Sequence, residues 1–186
     1  MIAVVFHGFN RATIEASMTG YIALGSNIGD RRAHLQAGLD GLRLAVSRLT
    51  AISSVWETEP VDIRDPGLFW NMVVEIETSE RPHAVLDTLL DIERDAGRVR
   101  SRPNAPRTLD LDLLVLGGLL VNDERLTLPH CRMWERSFVL APLNEIAPRL
   151  RNPRTGRTVA DELARIARPS CVCNIGALDR HPTVHL

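Results

Sequence analysis

Two stretches of the chain place apolar residues at helical spacing. In the first, the apolar positions step by four, three, four and three residues: Leu35, Leu39, Leu42, Val46 and Leu49. The second carries a similar stripe: Val85, Leu89, Ile92 and Ala96. Such stripes predict two helices that each bury one face, over residues 30–48 and 82–97. Pro82 suits the first turn of the second helix, and Gly97 suits its end.

Shorter apolar runs predict strands at residues 21–25, 51–58, 70–78 and 108–116. Gly117 and Gly118 are predicted to turn the last strand back onto residues 119–121 as a hairpin. Two short helices are predicted at 134–143 and 158–167. The order strand, helix, strand, strand, helix, strand favours an α/β (α+β) chain with a ferredoxin-like βαββαβ core. In that fold two helices cover one face of a mostly antiparallel sheet.

The composition is that of an ordinary globular domain. The chain has 186 residues, 45% hydrophobic and 24% charged, with a formal net charge of −1. This fits one domain and gives no overall positive field to attract nucleic acid. No apolar run approaches the ~20 residues that span a bilayer, and the first residues lack the features of a secretory signal. Only Cys131, Cys171 and Cys173 carry thiols, so we expect a reducing cytoplasm.

The most informative segment is the strand at 108–116, because it contains two aspartates. Side chains alternate along a strand, so Asp110 and Asp112 are predicted to project together from one face. Their neighbours Leu109, Leu111 and Leu113 are predicted to face the core. Aspartate is disfavoured in strands, and two on one face repel each other unless a positive group lies between them. The pair therefore predicts a site for a hard cation such as magnesium; the alternative is a solvated strand face.

Four arginines precede this strand: Arg98, Arg100, Arg102 and Arg107. Pro103, Asn104 and Pro106 make the segment a loop. Carboxylates hold a metal and guanidinium groups bind phosphate oxygens, and a triphosphate bridged by magnesium needs both. Surface arginines are usually only solvated, but here they stand at the entrance of the aspartate strand. The combination predicts a phosphate site under a loop that closes over the ligand.

Several short motifs, in a fixed order, resemble those of one family. They are Ala23-Leu-Gly-Ser-Asn27, Thr58-Glu-Pro60, Phe69-Trp-Asn71, Gly97-Arg-Val-Arg100, Pro106-Arg-Thr-Leu-Asp-Leu-Asp112 and Leu128-Pro-His130, with Arg136 and Phe138. Each motif alone is weak, but the ordered set is specific, above all the motif that ends at Asp112. Over about residues 21–148 the chain resembles 6-hydroxymethyl-7,8-dihydropterin pyrophosphokinase (HPPK).

The resemblance implies an ATP-dependent enzyme of tetrahydrofolate biosynthesis that transfers the βγ-diphosphate of ATP to a hydroxymethyl pterin and releases AMP. It implies that Asp110 and Asp112 hold two Mg²⁺ ions, and that Arg98 and Arg107 contact phosphates from a mobile catalytic loop. The residues implied for the ATP site are Glu93, Arg100, Leu113, Arg125, Leu126, Thr127 and His130. Those implied for the pterin pocket are Thr58, Pro60, Val61, Phe69, Asn71, Arg136 and Phe138. The implied partners are these small molecules and other folate-pathway enzymes, with no nucleic acid and no membrane.

The side-chain chemistry agrees with these roles. Phe69 and Phe138 can sandwich a flat heterocycle, and Asn71 can both donate to and accept from its amide edge. Without the resemblance, the phenylalanines would be assigned to ordinary core and Asn71 to a satisfied edge amide. His130, otherwise a structural histidine, can donate to the leaving group. It is not assigned as a base, because phosphoryl transfer depends mainly on positioning and charge.

Some positions depart from the family pattern. Leu90 stands in place of a nucleotide-contacting glutamine, Asp62 in place of a glycine, and Cys131 in place of an aromatic residue. The arginine loop lacks a tryptophan and is one residue shorter. These differences concern the closed geometry of the loop and the affinities rather than the reaction class.

The matched region divides the chain into an extension at 1–19, a pyrophosphokinase domain at 20–168 and a tail at 169–186. Met18 is an alternative start of the chain. The tail is expected to be disordered or lightly packed, because its cysteine and histidine pairs lie too close together for a zinc finger. Three alternatives stay open: a ferredoxin-like RNA-binding module, a different two-metal nucleotidyl or phosphoryl transferase, and a relative without activity.

Overall fold

A computed structural model describes residues 17–46, 48–59, 67–98, 107–166 and 172–178. The strands are β1 Met18–Ser26, β2 Arg48–Ile52, β3 Val55–Thr58, β4 Phe69–Thr78, β5 Asp110–Leu116, β6 Val121–Asn122, β7 Thr127–Leu128 and β8 Val172–Gly176. The helices are α1 Arg31–Ala45, α2 Pro82–Asp95, α3 Ser137–Ile146 and α4 Val159–Arg165, with a 3₁₀ turn at Met133–Glu135. In these parts of the chain no helix has the length and apolar character needed to cross a bilayer.

The main sheet has the strand order β5-β1-β4-β3-β8, with β2 also paired to β4. Every pairing in it is antiparallel. β4 lies between β1 and β2, the two strands that α1 connects, and β1 lies between β4 and β5, the two strands that α2 connects, as the split βαβ arrangement requires. The predicted ferredoxin-like fold is therefore confirmed.

The two faces of the sheet are covered by different helices. On one face, α1 and α2 bury their predicted stripes against Ile22, Leu24 and the alternating side chains of β4. Asp30 starts α1, since its carboxylate accepts a hydrogen bond from the Ala33 N–H. On the other face, α3 and α4 pack over Val73 and the end of β5. Because α3 and α4 cover only part of this second face, the site described below has room on it.

α2 begins and ends as the sequence predicts, whereas α1 ends at Ala45 and not at residue 48. The chain from Arg48 onward pairs with β4 as β2, so the predicted stripe residue Leu49 lies on a strand. α2 begins at Pro82, and Gly97 follows its end with a φ of 78°, a conformation that favours glycine. Glu93 lies on the buried face of α2 and is only 2% exposed. A carboxylate in that position needs partners, and they belong to the candidate site.

Three further predictions, about strand and helix boundaries and a hairpin, are wrong. The strand predicted at 51–58 is two strands, β2 and β3, because Ser53 takes over the pairing with β4: its N–H donates to the Val73 carbonyl and its hydroxyl accepts from the Val73 N–H. The predicted hairpin after β5 does not form; β6 pairs with β7, and the Leu114 carbonyl of β5 accepts from the His130 N–H. The helix predicted at 134–143 is a 3₁₀ turn followed by α3.

The C-terminal segment is part of the sheet, so the prediction of a disordered or lightly packed tail is wrong for residues 172–178. β8 pairs with β3 at the edge of the sheet. Leu178 is 3% exposed and lies in the core under α1 and α2, and Arg32 donates to its backbone carbonyl. Cys171 and the two histidines of the tail, His181 and His185, lie outside the described residues, as do residues 1–16. The division of the chain at 19 and 168 and the alternative start at Met18 stay predictions.

Candidate active site

The two aspartates of β5 project from one face of the sheet, as predicted. Leu109, Leu111 and Leu113 are at most 4% exposed and lie in the core under α1 and α2. Because side chains alternate along a strand, Asp110 and Asp112 point to the opposite face. They stand at the start of β5, where α3 and α4 leave the face accessible.

Asp110 is the centre of an ion-pair cluster. Its two carboxylate oxygens accept from Arg98 and Arg107, the latter with an Nη1–Oδ2 distance of 2.6 Å. Arg98 also pairs with Glu93, whose Oε1 accepts the Leu111 backbone N–H at 2.8 Å. The buried glutamate of α2 thus fixes both the arginine and the strand. The charges at Asp110 are compensated in the free protein.

Asp112 is in the opposite situation. None of the described residues donates a hydrogen bond to it, and burial and the charge of Asp110 raise the pKa of its carboxyl from 3.8 to about 6, against the lowering effects of Arg136 and Arg107. The arrangement leaves a carboxylate that is costly to ionise and has free acceptor oxygens. A cation placed beside it would remove that cost.

A cleft of about 420 Å³ opens over this cluster. It is lined by eight of the predicted site residues: Glu93, Arg98, Arg107, Asp110, Asp112, Arg125, His130 and Arg136. The remaining lining residues are leucines of α2 and β5: Leu86, Leu90 and Leu111. Acidic, basic and apolar walls in one cleft suit a nucleotide with its polyphosphate.

The imidazole of His130 is held as a neutral donor. Burial lowers the pKa of His130, and the charges of Arg136 and Arg132 lower it further. Its Nδ1 accepts the Arg132 backbone N–H at 3.3 Å. A neutral ring that accepts at Nδ1 carries its proton on Nε2, so Nε2–H is available for a ligand oxygen.

Among the residues predicted for the nucleotide, Arg125 lines this cleft but is half-exposed and pairs with Asp87 of α2. Three others lie beside the cleft or away from it. Leu113 and Leu126 are buried in the core under α1 and α2. Thr127, on β7, lines a neighbouring pocket that His130 also lines. Arg100 lies outside the described residues.

The predicted pterin residues gather on the same sheet face, two strands from Asp110. Asn71 is buried, and its Nδ2 donates to the Thr58 hydroxyl at 2.9 Å. Phe69 lies two residues before Asn71 on β4 and pairs with Thr58 across the strands. Arg136 lies with its guanidinium carbon 5.5 Å from the centre of the Phe138 ring, at the start of α3. Pro60 and Val61 lie outside the described residues.

One positioning residue was missed by the residue-level reasoning. Asn27 accepts the Arg107 N–H on its Oδ1 at 2.8 Å, and its own N–H donates to the Arg107 carbonyl. These two bonds fix the backbone of Arg107 just before β5. In the sequence Asn27 stands out only as the end of a motif, because no local pattern reveals a contact between residues 80 positions apart.

Comparison with known proteins identifies the family to which the chain is similar. The family model for 7,8-dihydro-6-hydroxymethylpterin-pyrophosphokinase (HPPK) matches residues 21–148. A 2-amino-4-hydroxy-6-hydroxymethyldihydropteridine pyrophosphokinase of Bacillus subtilis is 43% identical over 78% of this chain and 88% of its own. The protein of the same name from Pseudomonas aeruginosa is 43% identical over 77% of this chain and 89% of its own.

Solved structures confirm the fold. A triple mutant of Plasmodium falciparum HPPK-DHPS superposes with a TM-score of 0.68 at 13% identity, over 82% of this chain. The chain spans 44% of that protein. Identity this low supports the fold alone, whereas the family model and the bacterial relatives cover most of the sequence. By these matches, the chain belongs to the HPPK family.

Proposed function

We propose that this protein transfers the βγ-diphosphate of ATP to the hydroxymethyl group of 6-hydroxymethyl-7,8-dihydropterin, giving AMP and the pterin diphosphate for tetrahydrofolate biosynthesis. One observation carries the proposal. Asp110, Asp112, Arg98 and Arg107 line one cleft, and the Asn71–Thr58 pair lies on the same sheet face. Membership of the HPPK family supports the same reaction.

The acidic pair fits magnesium, which we propose as the metal, with two ions bound. Asp112 offers oxygens that no described residue occupies, and its raised pKa reflects burial beside a second carboxylate. Magnesium prefers carboxylate and phosphate oxygens. When bound there with ATP, it supplies charge neutralisation and alignment of the phosphates. In the described residues no group of three or more His, Cys, Asp and Glu side chains is arranged to hold a metal. Magnesium is usually held by one or two carboxylates with waters and substrate phosphates, and we propose that the phosphates of ATP complete the coordination here.

The arginines have a second role once the nucleotide is bound. In the free protein Arg98 and Arg107 neutralise Asp110. We propose that they turn to phosphate oxygens when ATP arrives, as guanidinium groups do for polyphosphates. The Nε2–H of His130 donates to the departing AMP phosphate, and Arg136 adds positive charge on the same side of the cleft.

The pterin is placed by the residues on β3, β4 and α3. The Asn71 amide matches the amide edge of the heterocycle, with Thr58 holding that amide in place. Phe69 and Phe138 provide aromatic surfaces for the flat ring. The hydroxymethyl oxygen then points along the sheet face toward Asp110 and Asp112, and attack on the β-phosphorus needs positioning more than a base.

The test is AMP formation from ATP and magnesium with and without 6-hydroxymethyl-7,8-dihydropterin. We expect AMP only with the pterin, in equal amounts to the pterin diphosphate, and none from Asp112→Asn. Formation of ADP, or AMP formation that does not depend on the pterin, would point to a different phosphoryl transferase.

Association with other folate enzymes is a further part of the proposal. A mitochondrial folate synthesis bifunctional protein of Arabidopsis thaliana is 42% identical over 72% of this chain, which spans 25% of that protein. Fusion in a relative supports proximity of successive enzymes. Co-purification with the next enzyme of the pathway from native extract tests this association. Clean separation of the two enzymes at low salt would contradict it.

A further inference from the structure

A row of residues crosses the sheet directly through the candidate site. On adjacent strands Asp110 of β5 pairs with Gly25 of β1, Gly25 with Asn71 of β4, and Asn71 with Trp56 of β3. Residues paired in this way place their side chains on the same face. Gly25 therefore lies between the acidic end of the site and the amide at the pterin end. Two strand spacings separate Asp110 from Asn71 by roughly 10 Å.

Backbone conformation does not account for a glycine at this position. Glycine weakens a strand interior, because it has no side chain to pack and loses much entropy on folding. Among the residues that the structure describes, the glycines with positive φ are Gly29, Gly97, Gly117, Gly156 and Gly176. Gly25 therefore adopts a conformation open to other residues.

Core packing does not account for it either. A Cβ added to Gly20, on the same strand, would meet Leu116, Ile76 and the Val115 carbonyl at 3.0 to 3.3 Å. At Gly25, an added Cβ would meet two side-chain atoms of the described residues: Asn71 Oδ1 at 3.2 Å and Asp110 Cβ at 3.8 Å. The first contact is tight, so the Asn71 carbonyl oxygen would have to give way by a few tenths of an ångström, whereas the second is an ordinary contact; alanine would therefore displace this buried amide and no backbone or core atom. The two atoms that a side chain would disturb both belong to the candidate site.

We propose that Gly25 is a positioning residue whose missing side chain keeps open the gap in which the acceptor hydroxyl meets the phosphate. The inference rests on the proposed function and deepens it. The reacting oxygen and phosphorus must approach to about 3–3.5 Å, above the strand that separates the acids from the amide. A methyl group on Gly25 displaces the Asn71 carbonyl oxygen and lifts the acceptor from the sheet, while the acids and arginines of the nucleotide cleft keep their places.

The experiment compares Gly25→Ala and Gly25→Val with Gly118→Ala and the wild type. Gly118 is an exposed glycine, its φ is not positive, and nothing lies within 4 Å of an added Cβ, so its alanine variant controls for the substitution itself. The measurements are the urea midpoint, the affinity for a nonhydrolysable ATP analogue with magnesium, the pterin affinity in that complex, and the single-turnover rate of transfer.

We expect Gly25→Ala to keep the wild-type urea midpoint and nucleotide affinity, and to lose about tenfold or more in pterin affinity and transfer rate through displacement of the reacting groups. Gly25→Val should lose more, although valine favours strands. Wild-type transfer by Gly25→Ala would overturn the inference. So would a parallel loss of urea midpoint, nucleotide affinity and transfer, which would make Gly25 structural. A wild type that releases no AMP in the presence of pterin would instead overturn the proposed function.

Discussion

At the scale of single residues, the two aspartates of β5 have opposite electrostatic surroundings. Asp110 is compensated by Arg98 and Arg107. Asp112 has no donor among the described residues and a raised pKa. Both are proposed to hold metal. In the free protein, however, we expect Asp110 to stabilise the fold and ionised Asp112 to destabilise it.

Replacing each aspartate with asparagine tests this difference. Asp110→Asn deprives two largely buried arginines, 13% and 18% exposed, of an acceptor and should destabilise the free protein by about 3 kcal/mol. Asp112→Asn should stabilise it at pH 7.5, by on the order of 2 kcal/mol. Both variants should lose turnover. Urea unfolding without nucleotide measures the stabilities, and loss of stability in Asp112→Asn would contradict the assignment.

The pH dependence of the Asp112 effect follows from the direction of its shift. Its pKa is raised from 3.8 to about 6, so its contribution to stability is present below the unfolded value and is lost as the pH rises through about 6. The stability gained by Asp112→Asn over the wild type should therefore be larger at pH 7.5 than at pH 5. Unfolding curves at the two pH values measure it; an equal gain at both would show that Asp112 is not perturbed.

Two substitutions of His130 distinguish a hydrogen-bond donor to the ligand from a structural histidine. Its Nδ1 is already used by the Arg132 N–H, so the ligand would use Nε2–H. His130→Gln, which keeps a side-chain N–H, should retain more transfer activity than His130→Ala, which should lose about tenfold to a hundredfold in kcat. Equal kcat losses with equal losses of stability would indicate a structural role.

At the scale of elements, β8 connects the C-terminal segment to β3, the strand that carries Thr58 of the proposed pterin pocket. It pairs with β3, so that Val172 stands opposite Thr58. Asn174 of β8 donates to Glu145 of α3 at 3.0 Å, and the same carboxylate accepts from the Trp56 indole at 2.7 Å. The strand thus connects α3 with the edge of the sheet that carries Thr58.

Two leucine-sized side chains near this strand provide a matched test. Leu178→Ala removes a side chain that is 3% exposed and should cost about 2–4 kcal/mol of stability. Ile175→Ala changes a side chain that is 43% exposed and should cost less than about 0.5 kcal/mol. Denaturant unfolding measures both. If the two variants were equally stable, β8 would not be part of the cooperative fold.

The elements also show what could be predicted from the sequence. The stripe of α2, the stripe of α1 apart from Leu49, and the alternation around Asp110 and Asp112 depend on local spacing, and these predictions are confirmed. The break at Ser53, the β6–β7 pair and the place of β8 depend on pairing with distant segments, which local patterns do not specify. In the site, Asp110, Asp112, Arg98 and Arg107 were predicted from their chemistry, and Glu93, Arg125 and Arg136 only from the family resemblance. The contact of Asn27 with Arg107 and the gap at Gly25 required the sheet register.

At the scale of the whole molecule, one sheet face carries the residues proposed for the phosphates and those proposed for the pterin, joined across β1. The metal site is proposed to be half built of phosphate, so the pterin should bind well only after the nucleotide. Isothermal titration should show a pterin affinity that increases by about tenfold or more when an ATP analogue and magnesium are present. Tight pterin binding that the analogue does not change would contradict this order.

The central claim is that Asp110 and Asp112 grip the polyphosphate of ATP through magnesium while Arg98 and Arg107 bind its oxygens. The most direct measurement is a crystal structure of the protein with magnesium and a nonhydrolysable ATP analogue. The account predicts magnesium ions between the two carboxylates and the phosphates, with both arginines turned from Asp110 to phosphate oxygens. A nucleotide bound elsewhere, or both carboxylates directed away from it, would contradict the account.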